Sequence, residues 1–361
     1  MESVVKRESW LDIGKFLAAV LIVVWHVPCF TVSLLASSLT MGGNVAFFMI
    51  LAGYFMGKNV KWEKCLTRFI ALLIPFLIWN FVVSFEYAEV PYMRASEYFC
   101  RLVGYKSLFI PSFNPFGVET NFGQPFSSPT WFLRDLLLCT LLAPLLIRIR
   151  LVFIPFIIMA FCLQWSVMLF SIDSTLSPLV LAEFGLGLCL SRYDVNHMKS
   201  FFERNEKSML VVWIFLMGLS LLIGFNNYFS NVQNHAEWSI NQYWHAVGVF
   251  NIHWNRLDLS PASFLVGAFF ILFMGFLLDK YCNKRGLLTK LSGASFLLFV
   301  LHYPLLKLIP TELWKSSLIV IVCGIAVVIG GIIAFYLFLC RYLPWTLPYL
   351  ANVRSYHKTK S

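Results

Sequence analysis

The chain has 361 residues, of which 59% are hydrophobic and only 13% charged. Soluble domains are about a quarter charged, and no water-soluble core of this size buries so much apolar side chain. The formal charge of +10 raises nucleic acid or anionic substrates as partners, and the placement of the basic residues then explains it without nucleic acid.

Apolar runs bounded by polar residues, Pro or Gly fall near 11–31, 40–57, 65–85, 129–147, 151–170, 176–191, 208–225, 260–279, 290–309 and 316–340. A spanning helix needs about 20 mostly apolar residues, so these runs predict an all-α, polytopic transmembrane helical bundle of about ten helices. The sixth run is short, and nine or eleven crossings fit equally. One transmembrane domain over 1–345 is followed by a short basic tail, 346–361. Lys6 and Arg7 ahead of an apolar run resemble a secretory signal, but Asp12 and Lys15 interrupt that run and further spans follow at once. Cleavage is therefore not expected.

With the N-terminus inside, the cytoplasmic segments hold most of the basic residues, including Lys58, Lys61, Lys64 and Arg68, then Arg192, Lys199, Arg204 and Lys207, then Lys280, Lys284, Arg285 and Lys290. The opposite side keeps Arg94, Arg101, Lys106, Arg256 and Lys315, although its loops 86–128 and 226–259 are the longest. This asymmetry predicts both termini in the cytoplasm and a multi-pass protein of the cell inner (plasma) membrane. It explains the net charge by contact with membrane lipids and cytosol, with no nucleic acid. The long outer loops are rich in aromatics, Asn, Gly and Pro, which suits sugar contacts or an ordinary lipid interface. The nine cysteines lie mostly in apolar runs without CxxC or Cys/His spacing, so they read as small buried hydrophobes, with no metal site.

Ionisable groups inside a bilayer are costly and mark bundle interiors or water-filled cavities. In the first helix, Lys15 and His26 are eleven positions apart, almost three turns, so they share a face about 16 Å apart along the axis. Asp12 lies one turn from Lys15. The pair reads either as part of a site or as an interfacial ion pair with a snorkelling lysine. His302 reaches a similar depth in the ninth helix, with Ser295 two turns before it. Converging imidazoles make an acid/base pair, or else His302 donates to a carbonyl and fixes packing. Arg134 and Asp135 are expected near the outer interface, pairing with other helices or water. Glu183 is a buried carboxylate to be tested as substrate contact or base. The basic cluster that includes Lys64 and Arg68 reads as topology or as a phosphate site. There is no P-loop, dinucleotide fingerprint, GxSxG or HExxH.

In order, WLDIGKFLAAVLIVVWH (10–26), FFMILAGYFMGK (47–58), the basic entry ending at Arg68 with Pro75 beyond, PTWFLRDLL (129–137) and SFLLFVLHYPLL (295–306) resemble the acyltransferase-3 family of integral membrane O-acyltransferases. Its first-helix hallmark, a basic residue followed ten positions on by His, is here Lys15 and His26. Many members carry Arg at the first position, and an ammonium lacks guanidinium's bidentate fork.

The resemblance implies transfer of an acyl group, usually acetyl and sometimes succinyl, from a cytoplasmic acyl-coenzyme A to a hydroxyl of a cell-envelope sugar, polysaccharide or lipid-linked sugar, with no tightly bound cofactor. On that reading His26 is the catalytic base or the acyl acceptor, and Asp12, His302 and Glu183 are further catalytic candidates. Lys15, Lys64 and Arg68 would hold the donor's phosphates, or Lys15 would pair with Asp12 to shape the entrance. Trp131, Arg134 and Asp135 would contact the acceptor. The rival from another class is a transporter or flippase for polysaccharide or lipid-linked sugar, against which stand the lack of inverted repeats and of paired broken helices.

Overall fold

The structure, a computed structural model, describes residues 8–85, 95–103, 126, 130–149, 178–234, 253–254, 257–258 and 260–351. The predicted span at 151–170 and most of both outer loops lie outside these residues. Eleven helices of eight residues or more are described: α1 (Ser9–Trp25), α2 (Phe30–Thr40), α3 (Asn44–Gly57), α4 (Trp62–Ser84), α5 (Ala95–Val103), α6 (Trp131–Leu146), α7 (Pro178–Leu190), α8 (Val195–Asn234), α9 (Ser260–Cys282), α10 (Ser295–Lys307) and α11 (Leu318–Tyr342). A two-stranded antiparallel hairpin, β1 (His253–Trp254) with β2 (Leu257–Asp258), precedes α9.

Among the described residues, six segments are long and apolar enough to cross a membrane: Phe30–Gly57, Trp62–Ser84, Val195–Phe225, Ser263–Cys282, Leu287–Lys307 and Leu318–Tyr342. Their surfaces suit a bilayer. Along α11 the buried positions Ile321, Ile325, Val328, Ile332, Tyr336 and Leu339 recur every three or four residues and form one stripe. The opposite face exposes Leu318, Ile319, Val322, Val327 and Phe338, which only hydrocarbon solvates without cost.

Three boundaries differ from the sequence reading. The first helix stops at Trp25 instead of running to residue 31, because Pro28 lacks an amide proton and pushes Val27 out of helical geometry. The second span begins earlier, as α2, and breaks at Met41 and Gly42, whose φ angles are +48° and +75°. The segment at Val195 is already helical well before residue 208, with a kink at Asn205. Within the sixth run the described helix is α7, 13 residues or about 20 Å.

Glycines set how closely these helices approach. A Cβ on Gly267 of α9 would strike the Thr40 carbonyl at the α2–α3 break, and one on Gly43 would strike the Phe264 carbonyl. A Cβ on Gly53 of α3 would meet the Phe184 carbonyl of α7, and one on Gly187 the Ile50 carbonyl. With lipid as apolar as leucine, such close contact is what holds membrane helices together.

Gly187→Ala or Gly267→Ala is therefore expected to lower the unfolding temperature in detergent, by an overpacking cost of about 1–3 kcal/mol. Gly218 and Gly330 have no atom within 4 Å of an added Cβ. Gly218→Ala and Gly330→Ala should leave stability unchanged or gain up to about 1 kcal/mol from helix propensity. Thermal unfolding of the four purified variants, with the wild type alongside, measures this.

Candidate active site

α1 lies inside the bundle, packed on α2, α3, α9, α10 and α11. Trp10, Leu11, Asp12, Ile13, Gly14, Ala18, Ala19, Leu21, Ile22 and Val23 are all buried. A helix so enclosed meets protein on every side, which is the setting that tolerates its polar stripe.

At the C-terminal end of α1, His26 faces His302 of α10 with ring centroids 4.9 Å apart and planes at 52°. Each imidazole is tied to its own helix. His26 Nδ1 lies 2.8 Å from the Ile22 carbonyl, and His302 Nδ1 lies 2.9 Å from the Leu298 carbonyl. A carbonyl only accepts, so in both rings Nδ1 carries the proton and Nε2 presents a lone pair. The carbonyl bond expected on the packing reading of His302 is present, and it also fixes the ring's tautomer. His302 is fully buried, and its Nε2 has no hydrogen-bond partner among the described residues.

His26 opens on a cavity of about 240 Å³. Glu183 of α7 lines the same cavity, 2% exposed, and its Oε2 has no hydrogen-bond partner among the described residues. Trp25, Trp131, Phe132, Phe264 and Phe299 supply aromatic walls. Phe132 and Phe299 pack edge to face at 4.2 Å, joining α6 to α10. The start of α6 is held by a buried exchange between Asn80 and Thr130, at 3.2 Å in both directions, which sets Trp131 against the cavity. Gly42 at the α2–α3 break completes the wall.

At the other end of α1, Lys15 Nζ lies 3.0 Å from Asp12 Oδ1 and 5.4 Å from the centre of the Phe55 ring. Arg68 Nη1 lies 3.4 Å from Met56 Sδ. Both cations thus reach the last turns of α3, and Lys64 stands one turn before Arg68 on α4. All three are part-exposed, as a site for a soluble anion requires. The site therefore has two ends, a cationic mouth and an imidazole–carboxyl cavity, joined by α1.

Arg134 and Asp135 are placed differently. Both are buried, at 8% and 0% exposure, and pair with one another, with Arg134 Nη2 2.8 Å from Asp135 Oδ1. They do not line the cavity with Trp131. The Ser295 hydroxyl donates to the Ser292 carbonyl at 2.6 Å, within its own chain segment and away from the imidazoles. Trp25, Gly42, Asn80, Thr130 and Phe264 were not singled out in sequence. Of these, Asn80 had a signal, a lone amide in the apolar run LIWNFVV.

Among the described residues, no group of three or more His, Cys, Asp or Glu side chains could hold a metal ion. The cysteines described are all free thiols. No curated protein and no solved structure matches the chain. The acyltransferase-3 family model, an acyltransferase domain, matches residues 8–337, a stretch that holds both ends of the site. The chain belongs to the acyltransferase-3 family and is a membrane acyltransferase.

Proposed function

We propose that the protein moves an acyl group, acetyl or succinyl, from a cytoplasmic acyl-coenzyme A to a hydroxyl of a cell-envelope sugar, polysaccharide or lipid-linked sugar, at the inner membrane. The observation that carries the reading is the pair of imidazoles at 4.9 Å, beside a cavity that also exposes a buried carboxyl. The basic asymmetry of the loops supports placing the Lys15 end in the cytoplasm.

In this mechanism Lys15, Lys64 and Arg68 bind the donor's phosphates at the cationic mouth, by charge-assisted hydrogen bonds. The pantetheine arm runs along α1 and brings the thioester to His26, about 16 Å away along the axis. An acceptor sugar rests against Trp25 and Trp131, with one hydroxyl held by the Glu183 carboxyl. His26 Nε2 takes the proton of the reacting hydroxyl as its oxygen attacks the thioester carbonyl. The proton on His26 is shared with His302 Nε2, and collapse of the tetrahedral intermediate releases the coenzyme A thiolate, which takes that proton back. Asp12 holds Lys15 at the entrance and touches no reacting atom.

Membranes carrying His26→Ala at matched abundance should transfer label from acyl-coenzyme A to envelope glycans about 10²–10⁴-fold more slowly than wild type. Equal labelling would remove the base assignment, and glycan movement across vesicles without any acylated product would favour transport. Lys15→Met and Arg68→Met should raise KM for the acyl-coenzyme A donor by about 10- to 100-fold, the loss of a hydrogen bond to a charged group. Their kcat should stay within a few-fold of wild type. A fall in kcat with unchanged KM would move those cations away from the donor.

A further inference from the structure

A second hollow, of about 590 Å³, lies between α3, α7, α8 and α9. It follows on from the site cavity along two helices. Leu179 and Glu183 of α7 line the cavity, and Leu186 and Leu190 continue the same face into the slot. On α9 the lining passes from Phe264 to Leu265, Ala268 and Leu272. The inner walls are entirely apolar. A sugar, a nucleotide or the amides of a pantetheine arm would lose their hydrogen bonds there, a cost with no compensation. A hydrocarbon chain loses nothing, and the volume falls within the roughly 300–1,000 Å³ of small-ligand sites.

The wall from α8 is fixed in place. Before the kink at Asn205, Met198 and Phe201 face the slot. Phe202, fully buried, packs on Trp10 at 6.1 Å, Phe269 at 5.3 Å and Phe273 at 5.5 Å. The slot is open at its rim, where Phe201 is 46% exposed.

Polar groups gather only at the mouth, which lies at the same end of the bundle as Lys15 and Arg68. Tyr54 Oη and Lys58 Nζ both donate to the Tyr193 carbonyl, at 3.0 and 2.9 Å, and pin the α7–α8 turn. The Asp194 carboxylate there is engaged by the Asn196 amide and side chain, at 3.1 Å. Lys58 and His197 lie near it and Arg192 two residues before it, all three exposed. Cations therefore outnumber the one carboxylate. An apolar slot ending in a cationic rim matches an amphiphile with one long chain and an anionic head.

We propose that this is a lipid site: one hydrocarbon chain of an anionic glycerophospholipid lies between α3, α7, α8 and α9, with its phosphate at the rim formed by Lys58, Arg192 and His197. The site stands apart from the acyl-transfer chemistry and does not depend on it.

Photolabelling tests the proposal, using the full-length protein in phosphatidylcholine nanodiscs doped with phosphatidylglycerol that carries a diazirine in one chain. Cross-links are expected in peptides covering Leu186–Phe201 and Leu265–Leu272. Leu186→Trp combined with Leu272→Trp fills the slot and should lower labelling there at least fivefold, while Phe215→Trp on the outward face of α8 leaves it unchanged. Arg192→Glu with His197→Glu, both at exposed positions, should lower labelling by the phosphatidylglycerol probe several-fold. The same pair should leave labelling by a diazirine phosphatidylcholine unchanged. Labelling unaltered by the filled slot, equal labelling of the wild type by both probes, or protein–protein cross-links from a second copy seated in the slot would each overturn it.

Discussion

Everything in this molecule depends on the enclosure of α1. A 17-residue helix carrying an aspartate, a lysine and a histidine on one side is a poor membrane anchor if it faces lipid, since each charge there costs several kcal/mol. Surrounded by five other helices, it becomes the axis of the fold, and its polar groups meet protein in place of hydrocarbon. The enclosure is tight because side chains are missing where helices cross. Gly275 of α9 sits against the backbone of Trp10 and Gly14, so α1 and α9 meet backbone to backbone. The glycines of α3 and α7 do the same for the helix that carries Glu183.

From that enclosure follows the separation of the site into two ends. Lys15 stands part-exposed at one end, paired with Asp12. At the other, two carbonyl bonds hold the Nδ1 proton of each imidazole and leave Nε2 as the acceptor, in a single tautomer. Fixed donors on Nδ1 are a way of presenting a base without reorganisation at the moment of proton transfer. The aromatic walls around His26 restrict water without supplying competing hydrogen bonds, and the Glu183 carboxyl is the polar group best placed to orient a hydroxyl there.

Much of this was legible in the residues. Helical spacing alone put Lys15 and His26 on one face, and equal depth from the helix ends predicted that His26 and His302 would converge. The Lys15–Asp12 ion pair that one reading expected is present, and it leaves the reading of Lys15 as part of a site open to test. What escaped was set by contacts between helices, which no single-helix periodicity encodes. The run from residue 30 to 40 contains Ser33, Ser37, Ser38 and Thr40, which dilute its apolar signal, so α2 went unseen although all four are buried against neighbours. Met41-Gly42-Gly43 was a visible break, but its role as cavity wall depends on how α9 crosses it. Arg134 and Asp135 are adjacent in sequence and buried, and among their contacts is an ion pair with one another, which helical spacing does not reveal. The ten-helix reading rests in part on residues 151–170, outside the described structure.

That His26 and His302 work as one unit is tested most directly by a double-mutant cycle on acyl transfer, with His26→Ala, His302→Ala and the double variant at matched membrane abundance. If the two imidazoles share the proton, the double variant should lose no more activity than the worse of the two single variants, since removing either already disables the pair. Losses that multiply, or a His302→Ala variant that transfers acyl groups at the wild-type rate, would show that the second imidazole is packing alone.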